Sequence, residues 1–524
     1  MPSLLSYSKV KTMKWILSIA VVLTVSSSFG QSYNATSLGS GLYKVGFTSS
    51  IEFDPGRPPI IEQEAGYRNG RAVHISTWYP AVVSSSEVPM NFKEYVDDIS
   101  RMVNPEPVSA KSTSESIRLM KFFLWQLNGD TSVLNTHLAN LLKSPVAAYK
   151  KPPPVQAKFP VVVYPESSYQ NNILCEYLAS HGYIVVSVSR HGTFDVNFEW
   201  QTVRGIESLV QDCQFALGVT KTKFGLTEPD VVVMGVGMNA SAGLAWMMRS
   251  NDVDALVSLE GGILTIYEYN LIQKSPWFDK AKAIKPMLVM HSPHEAVNAA
   301  LIDHYKYADR HVVSFPRLTE FYYLNYGVWE ASMPGILGPA PGDTKQSNEW
   351  MMRYTHNFLD HYLKQKESGK IFFSQTPLQN GVAPGLAEHM FKPRYEIPPS
   401  ESDLEALKQI SGFNAMLAEV TKHQQKDPQA FSFDTFIAIG QKLIGAKEFE
   451  HGTRWATLFN QSYPEAASAF TIAGRCYLEL GQKEKAITNY RTALKMLPSD
   501  PNFDPGQKDQ LKGQIEKRLE QLKS

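Results

Sequence analysis

The sequence predicts an α/β protein with a doubly wound, mostly parallel sheet of eight strands, followed by a small all-α domain. Three observations carry this. Between about positions 43 and 363, short β-branched runs alternate with longer helix-compatible stretches. Eight such runs can be counted. Beyond position 400 the chain turns helical, with a sequence period of about 34 residues. At 524 residues the chain also exceeds what one hydrophobic core supports, which calls for more than one domain.

Positions 1–30 read as a leader. Lys9, Lys11 and Lys14 precede the apolar run 15–25, which is followed by the small-residue exit Ser28-Phe29-Gly30. The run is too short to span a bilayer comfortably, and its order is that of a secretory signal peptide. The expected location is therefore secreted or periplasmic, in a bacterium, with no transmembrane segment.

The sheet domain is expected over 31–372, with strands at 43–47, 72–78, 161–164, 184–189, 231–235, 255–259, 287–290 and 312–315. Most are short apolar runs with β-branched residues, as befits strands covered on both faces. A helical insertion at about 91–158 separates the second and third strands and ends in Lys150-Lys151-Pro152-Pro153-Pro154. Its apolar cluster Leu119, Met120, Phe122, Phe123, Leu124 and Trp125 reads as a core-facing helix, with a lid over a pocket as the functional alternative.

Composition excludes some partners. Lys+Arg and Asp+Glu are equal at 51 each, and no basic stripe stands out, so nucleic acid is not an expected partner. Cys175, Cys213 and Cys476 are the only cysteines, an odd number on a long chain, and they read as small buried apolar residues.

The most informative stretch is Val233-Met234-Gly235-Val236-Gly237-Met238-Asn239-Ala240. It has the strand, the glycine turn and the following helix of a nucleophile elbow, but a glycine stands where the reactive serine belongs. Around it lie the phrases Gly41-Leu42-Tyr43-Lys44-Val45-Gly46, Arg71-Ala72-Val73-His74-Ile75-Ser76-Thr77-Trp78-Tyr79-Pro80-Ala81, Phe159-Pro160-Val161-Val162-Val163-Tyr164, Leu178-Ala179-Ser180-His181-Gly182-Tyr183 and Ser258-Leu259-Glu260-Gly261-Gly262. In this order the chain resembles the platelet-activating-factor acetylhydrolase and dienelactone hydrolase group, which implies the α/β-hydrolase fold and carboxylic-ester or phospholipid acetyl hydrolysis.

The resemblance also implies where the machinery would stand. The nucleophile falls on Gly237, the acid on Glu260, and the histidine base on Glu320. The loop that would polarise the substrate carbonyl reads Pro165-Glu166-Ser167-Ser168. A hydrogen cannot attack a carbonyl, and a carboxylate in that loop would repel a developing oxyanion. The surviving Glu260 carboxylate is expected to have nothing to orient. Low-ranked substitutes are Ser241, one helical turn past Gly237, with His291 or His294 as base. Binding residues are expected at Glu166, Ser167, Met238, Glu260 and Glu320. The three glutamates, converging near His291, are a weaker candidate for a cation. No cofactor and no metal motif is read.

A connection is expected over 373–400 and the helical domain over 401–524. Phe470, Ala473, Gly474, Tyr477, Ala486, Tyr490, Ala493 and Pro498 match a tetratricopeptide repeat at 468–501, and Phe436, Gly440, Leu443, Gly452, Ala456, Phe459 and Pro464 a more divergent copy at 434–467. Helices at 403–422 and 507–522 are expected to cap the two ends. The whole reads as an exported protein, catalytically inactive, that binds or scaffolds. It would take a small ligand in the hydrolase crevice and a protein or peptide partner at the repeats. One alternative is an active ester hydrolase with non-standard residues, and another is a protein-binding module acting through the repeats alone.

Overall fold

The computed structural model describes residues 33–60, 70–103, 109–192, 199–294 and 296–522. The predicted leader lies outside them. In chain order the elements are β1 (Lys44–Asp54), β2 (Arg71–Ala81), α1 (Lys93–Val103), α2 (Ala110–Asn128), α3 (Ser132–Lys143), β3 (Ala148–Lys150), β4 (Val161–Val163), α4 (Ser168–Ser180), β5 (Ile184–Val188), α5 (Val203–Phe224), β6 (Val231–Val236), α6 (Met238–Arg249), β7 (Ala255–Leu259), α7 (Ile266–Ile272), β8 (Met287–His291), β9 (Arg310–Ser314), α8 (Asn325–Trp329), α9 (Thr344–Tyr362), α10 (Glu367–Ser374) and β10 (Glu388–Lys392). Seven helices follow: α11 (Glu401–Ser411), α12 (Phe413–Lys426), α13 (Phe433–Gly445), α14 (Phe449–Ser462), α15 (Ala467–Glu479), α16 (Lys483–Met496) and α17 (Pro505–Gln521). No helix among the described residues is long and apolar enough to cross a membrane.

The chain forms two compact units. One comprises Met1–Asn197, Asp212–Pro229 and Arg317–His356; the other comprises Phe198–Gln211, Asp230–Pro316 and Asn357–Ser524. The ten strands belong to a mixed sheet. In the first unit the order is β4-β5-β2-β1-β3, with β1/β2 and β2/β5 antiparallel and β4/β5 and β1/β3 parallel. In the second it is β10-β9-β8-β7-β6, parallel from β6 to β9 and antiparallel at β10. The eight expected strands are all present, with β5 inserted between β2 and β4. The expectation of a mostly parallel eight-stranded sheet is corrected to a mixed sheet of ten, because β3 and β10 add themselves to strands already there.

β2 is buried along its full length, so its polar side chains all need partners. Arg71 binds both carboxylate oxygens of Asp212 at 2.8 Å. His74 lies 3.1 Å from Asp98 Oδ1 and 2.8 Å from Ser189 Oγ. Asp98 also accepts from Ser49 and Ser76 at 2.6 and 2.7 Å. Burial would push the Asp98 carboxyl up, but the His74 imidazole and these hydroxyls outweigh it and hold the group at about 2. The net effect fastens α1 to β1 and β2.

The insertion is helical as expected. Met120 and Leu124 are buried, whereas Phe122 and Trp125 are half-exposed. Its anchor is Glu176 on α4, which accepts from Tyr95 Oη at 2.6 Å, from the Ala147 backbone N–H at 2.8 Å and from Asn172 at 3.3 Å. Tyr95 Oη in turn accepts from Trp78 Nε1 at 2.8 Å. The three cysteines are unpaired and buried.

In the second unit, α11 to α17 form a helical region with two apolar clusters, one around Phe436, Trp455 and Phe459 and one around Ala486, Tyr490 and Ile515. Small residues set the helix spacing. A Cβ on Gly440 would lie 2.6 Å from Ile472 Cδ1, and one on Gly474 would lie 2.9 Å from the Tyr490 ring. The single helix expected at 403–422 is instead two, because Gly412 breaks it with a φ of 85°. Within the segment 373–400, β10 pairs with β9 from Glu388↔Ser314 to Lys392↔Arg310. The Tyr395 N–H bonds to the Lys306 carbonyl at 2.8 Å, Lys306 pairs with Asp427, and Tyr307 Oη reaches the Ala430 carbonyl at 3.4 Å.

Two stability predictions follow from these contacts. Burial raises the Glu176 carboxyl to about 7 despite its hydrogen bonds. A folded-state pKa above the unfolded one favours folding below the unfolded value, and that contribution disappears as pH rises through the folded value. The melting temperature should therefore fall between about pH 4.5 and 7, and Glu176→Gln should flatten that slope in a calorimetric pH series. Separately, Gly474→Ala should cost about 1–3 kcal/mol in chemical denaturation, because the added methyl drives into Tyr490.

Candidate ligand site at the strand ends

Parallel strands β6, β7 and β8 end side by side, so the residues just past them share one edge of the sheet. Val236 pairs with Leu259 in the β6/β7 register, and the Gly237 N–H donates to the Leu259 carbonyl at 3.0 Å. Gly237, Glu260 and His291 therefore stand at successive strand termini within the second unit.

At the first terminus the chain reverses from β6 into α6 within one residue. Gly237 has φ 53° and ψ −127° and forms the N-cap of α6. A Cβ built there meets nothing within 4 Å, so the space a nucleophile would fill is open. Met238 follows as the first helical residue, and its Sδ accepts the Gln201 N–H at 3.4 Å. The start of α6 carries the positive end of the helix dipole. The chain therefore turns from strand to helix at Gly237 with no side chain in the space beside it.

At the second terminus, Glu260 is buried and held at φ 58°, rare for a residue with a side chain. Its carboxylate is 3.1 Å from His294 Nε2. The expectation that Glu260 has nothing to orient is therefore wrong. The loop after β8 folds back, bridging Thr265 to Val297 and closing the Val297 N–H onto the His294 carbonyl at 3.1 Å, and this delivers the imidazole to the acid. His294 remains 39% exposed on its side chain, so one face of the pair meets solvent.

At the third, His291 is 8% exposed. Its Nδ1 lies 3.1 Å from the Ser292 carbonyl, which makes Nδ1 the protonated nitrogen and leaves Nε2 an acceptor. Burial, reinforced by neighbouring His294, pushes its pKa down, so the ring is neutral near pH 7. Exposed aromatic and aliphatic side chains stand close by in sequence. Trp200, beside Gln201, is 54% exposed, and Ile266 and Tyr267 at the start of α7 are 50% and 48% exposed.

The other sequence candidates fall elsewhere. Ser241 is 1% exposed inside α6, and its Oγ has no hydrogen-bond partner among the described residues. It has no route to an ester, which removes the Ser241 alternative. Glu166 and Ser167 lie in the first unit, just past β4; the Glu166 carboxylate is buried and 3.6 Å from Arg190. Glu320, also in the first unit, is exposed at the start of a 3₁₀ turn. Of the three glutamates considered for a cation, Glu166 lies 3.6 Å from Arg190, Glu260 3.1 Å from His294, and Glu320 is exposed. Among the described residues, metal-ligand atoms gather in threes only at Glu396, Glu419 and His423, in the helical region. There Lys422 Nζ already neutralises both glutamates at 2.8 and 3.1 Å. Sequence reasoning missed the His74–Asp98–Ser189 cluster. Its signal was a histidine within a strand flanked by valine, isoleucine and tryptophan.

The open space at Gly237 predicts that Gly237→Ser folds. The only expected cost is a positive φ on a residue with a side chain, roughly 1–2 kcal/mol, to be read from denaturant titration. A loss above about 4 kcal/mol would mean the space is filled.

No family model matches the sequence, and no curated protein matches it. Among solved structures, the chain is similar to a ferulic acid esterase from Streptomyces cinnamoneus, with a TM-score of 0.43 and 16% identity over 63% of this chain and 92% of that one.

Proposed function

We propose that this chain is a hydrolase-fold protein that has left serine chemistry: it forms no acyl-serine and uses the strand-end site of its second unit to hold a ligand. The bare α-carbon at Gly237 carries this reading. The strand-to-helix turn and the helix N-terminus are retained around it, with room for a Cβ at Gly237, so what is gone is the reacting atom. Neutral His291 and the Glu260–His294 pair suit a ligand with hydrogen-bonding oxygens, and Trp200, Ile266 and Tyr267 suit an apolar portion.

The repeat-like spacing of Phe436, Gly440, Leu443, Gly474, Tyr477 and Tyr490 supports a tetratricopeptide reading of the helical region, and with it a scaffold role through a protein or peptide partner. The leader-like pattern at 1–30 supports export.

A serine-directed fluorophosphonate is the direct test. Incubated with the full chain, it should label no serine, Ser241 included, and intact mass should be unchanged. A stoichiometric adduct at any serine would overturn the reading.

A further inference from the structure

We propose that the helical region of the second unit binds an extended, acidic peptide of about five residues in the groove between α12 and α14. This deepens the partner reading given above, on which it rests, by assigning the occupant's chemistry and its place.

The groove measures about 610 Å³. On α12 the lining positions fall at 414, 417, 418, 421, 422 and 425, and on α14 at 454, 457 and 458, so each helix offers one continuous face. α12 and α14 are the second members of the successive helix pairs α11/α12 and α13/α14. The first members α13 and α15 meet elsewhere, where a Cβ on Gly440 would lie 2.6 Å from Ile472 Cδ1.

Hydrogen bonds fix the spacing of the two helices at both ends of the groove. At one end Arg454 Nη1 donates to Asn414 Oδ1 at 2.8 Å. At the other, Gln424 Nε2 donates to the Leu458 carbonyl at 3.1 Å and to Ser462 Oγ at 2.6 Å. Between them Leu417, Ala418 and Leu458 form an apolar floor. The hydroxyls of Thr421 and Thr457 turn back onto the carbonyls of Leu417 and Thr453, at 2.8 and 3.1 Å. The middle of the groove is therefore largely apolar, and its polar groups stand towards the ends.

Those ends define the occupant. Asn414 and Gln425 are both exposed and stand eleven positions apart, about 16 Å along α12. Neither Asn414 Nδ2 nor the Gln425 side-chain amide makes a hydrogen bond among the described residues. An extended chain rises about 3.3 Å per residue, so about five residues place a main-chain amide at each of them. A helical segment bonds its own backbone and leaves both side chains unanswered. The lining holds two cations, Arg454 and Lys422, and no carboxylate. Arg454 is steadied over the Phe413 ring at 5.5 Å, and its Nε and Nη2 remain as a fork for a carboxylate. Lys422 Nζ pairs with Glu396 and Glu419 at 2.8 and 3.1 Å, exposed contacts that a bound carboxylate can share.

The experiment is fluorescence anisotropy with the full chain and tetramethylrhodamine-labelled Glu-Leu-Glu-Leu-Glu amide, beside the same peptide with glutamine or lysine in place of glutamate. The acidic probe should bind and the lysine probe should not. Arg454→Ala should weaken binding about tenfold. Glu419→Gln should tighten it, because Lys422 loses a competing carboxylate. Thermal melting shows that both variants fold. A benzophenone carried on the probe should cross-link to α12 or α14. A lysine probe that binds as well as the acidic one, an Arg454→Ala variant that binds normally, or a cross-link to α13 or α15 overturns this inference and leaves a peptide partner standing. No binding by any of the three probes up to about 1 mM overturns the inference and the peptide-partner reading together.

Discussion

A chain that leaves a buried parallel strand and returns as a helix across the same sheet has to reverse direction within a residue or two, and the positive φ at Gly237 is how this one does it. Much of the second unit follows from that reversal. It lays α6 over β6 and β7, places the start of the helix at the strand ends, and brings the turn after β7 against the elbow carbonyl. In an enzyme, such a turn displays a side chain. Here the conformation persists although the residue has nothing to display, because the packing of α6 requires the bend whether or not chemistry uses it.

The charges near the strand ends are settled in pairs. Asp212 takes Arg71, Asp98 takes His74, Glu166 takes Arg190 and Glu260 takes His294. The first two are buried on both sides, where an unmatched ion would be intolerable, and in the third Glu166 is buried beside a partly exposed Arg190. The fourth differs in that His294 keeps a solvent-facing side. That asymmetry separates a fastening contact from one able to exchange a proton with a bound molecule.

How much of this was legible in the sequence depended on whether a signal was local. The eight expected strands are short apolar runs bounded by turn residues, and they read directly. β3 is three residues long and β10 reads Glu-His-Met-Phe-Lys; each is a strand only because a neighbouring edge recruits it. The break at Gly412 was missed because the flanking sequences are both good helix formers. At the site, Gly237 and Met238 are read from the strand–glycine–helix pattern, Glu260 from the family resemblance, and His291 and His294 from the loop after a strand. The Glu260–His294 contact was invisible, since it depends on how the loop after β8 returns. The same limit hid His74 and Asp98, which meet across 24 positions of sequence.

β10 has one more implication. Without it, β9 would end the sheet with a row of unsatisfied amides and carbonyls, a ready template for pairing with another molecule. The chain closes that row with a strand flanked by Glu388 and Lys392 and stopped by Pro393, residues that discourage any further addition. The natural seam between sheet and helices thus lies after Lys392. A fragment trimmed at the end of α10 would carry an adhesive border, whereas one ending just past Lys392 would keep that edge covered.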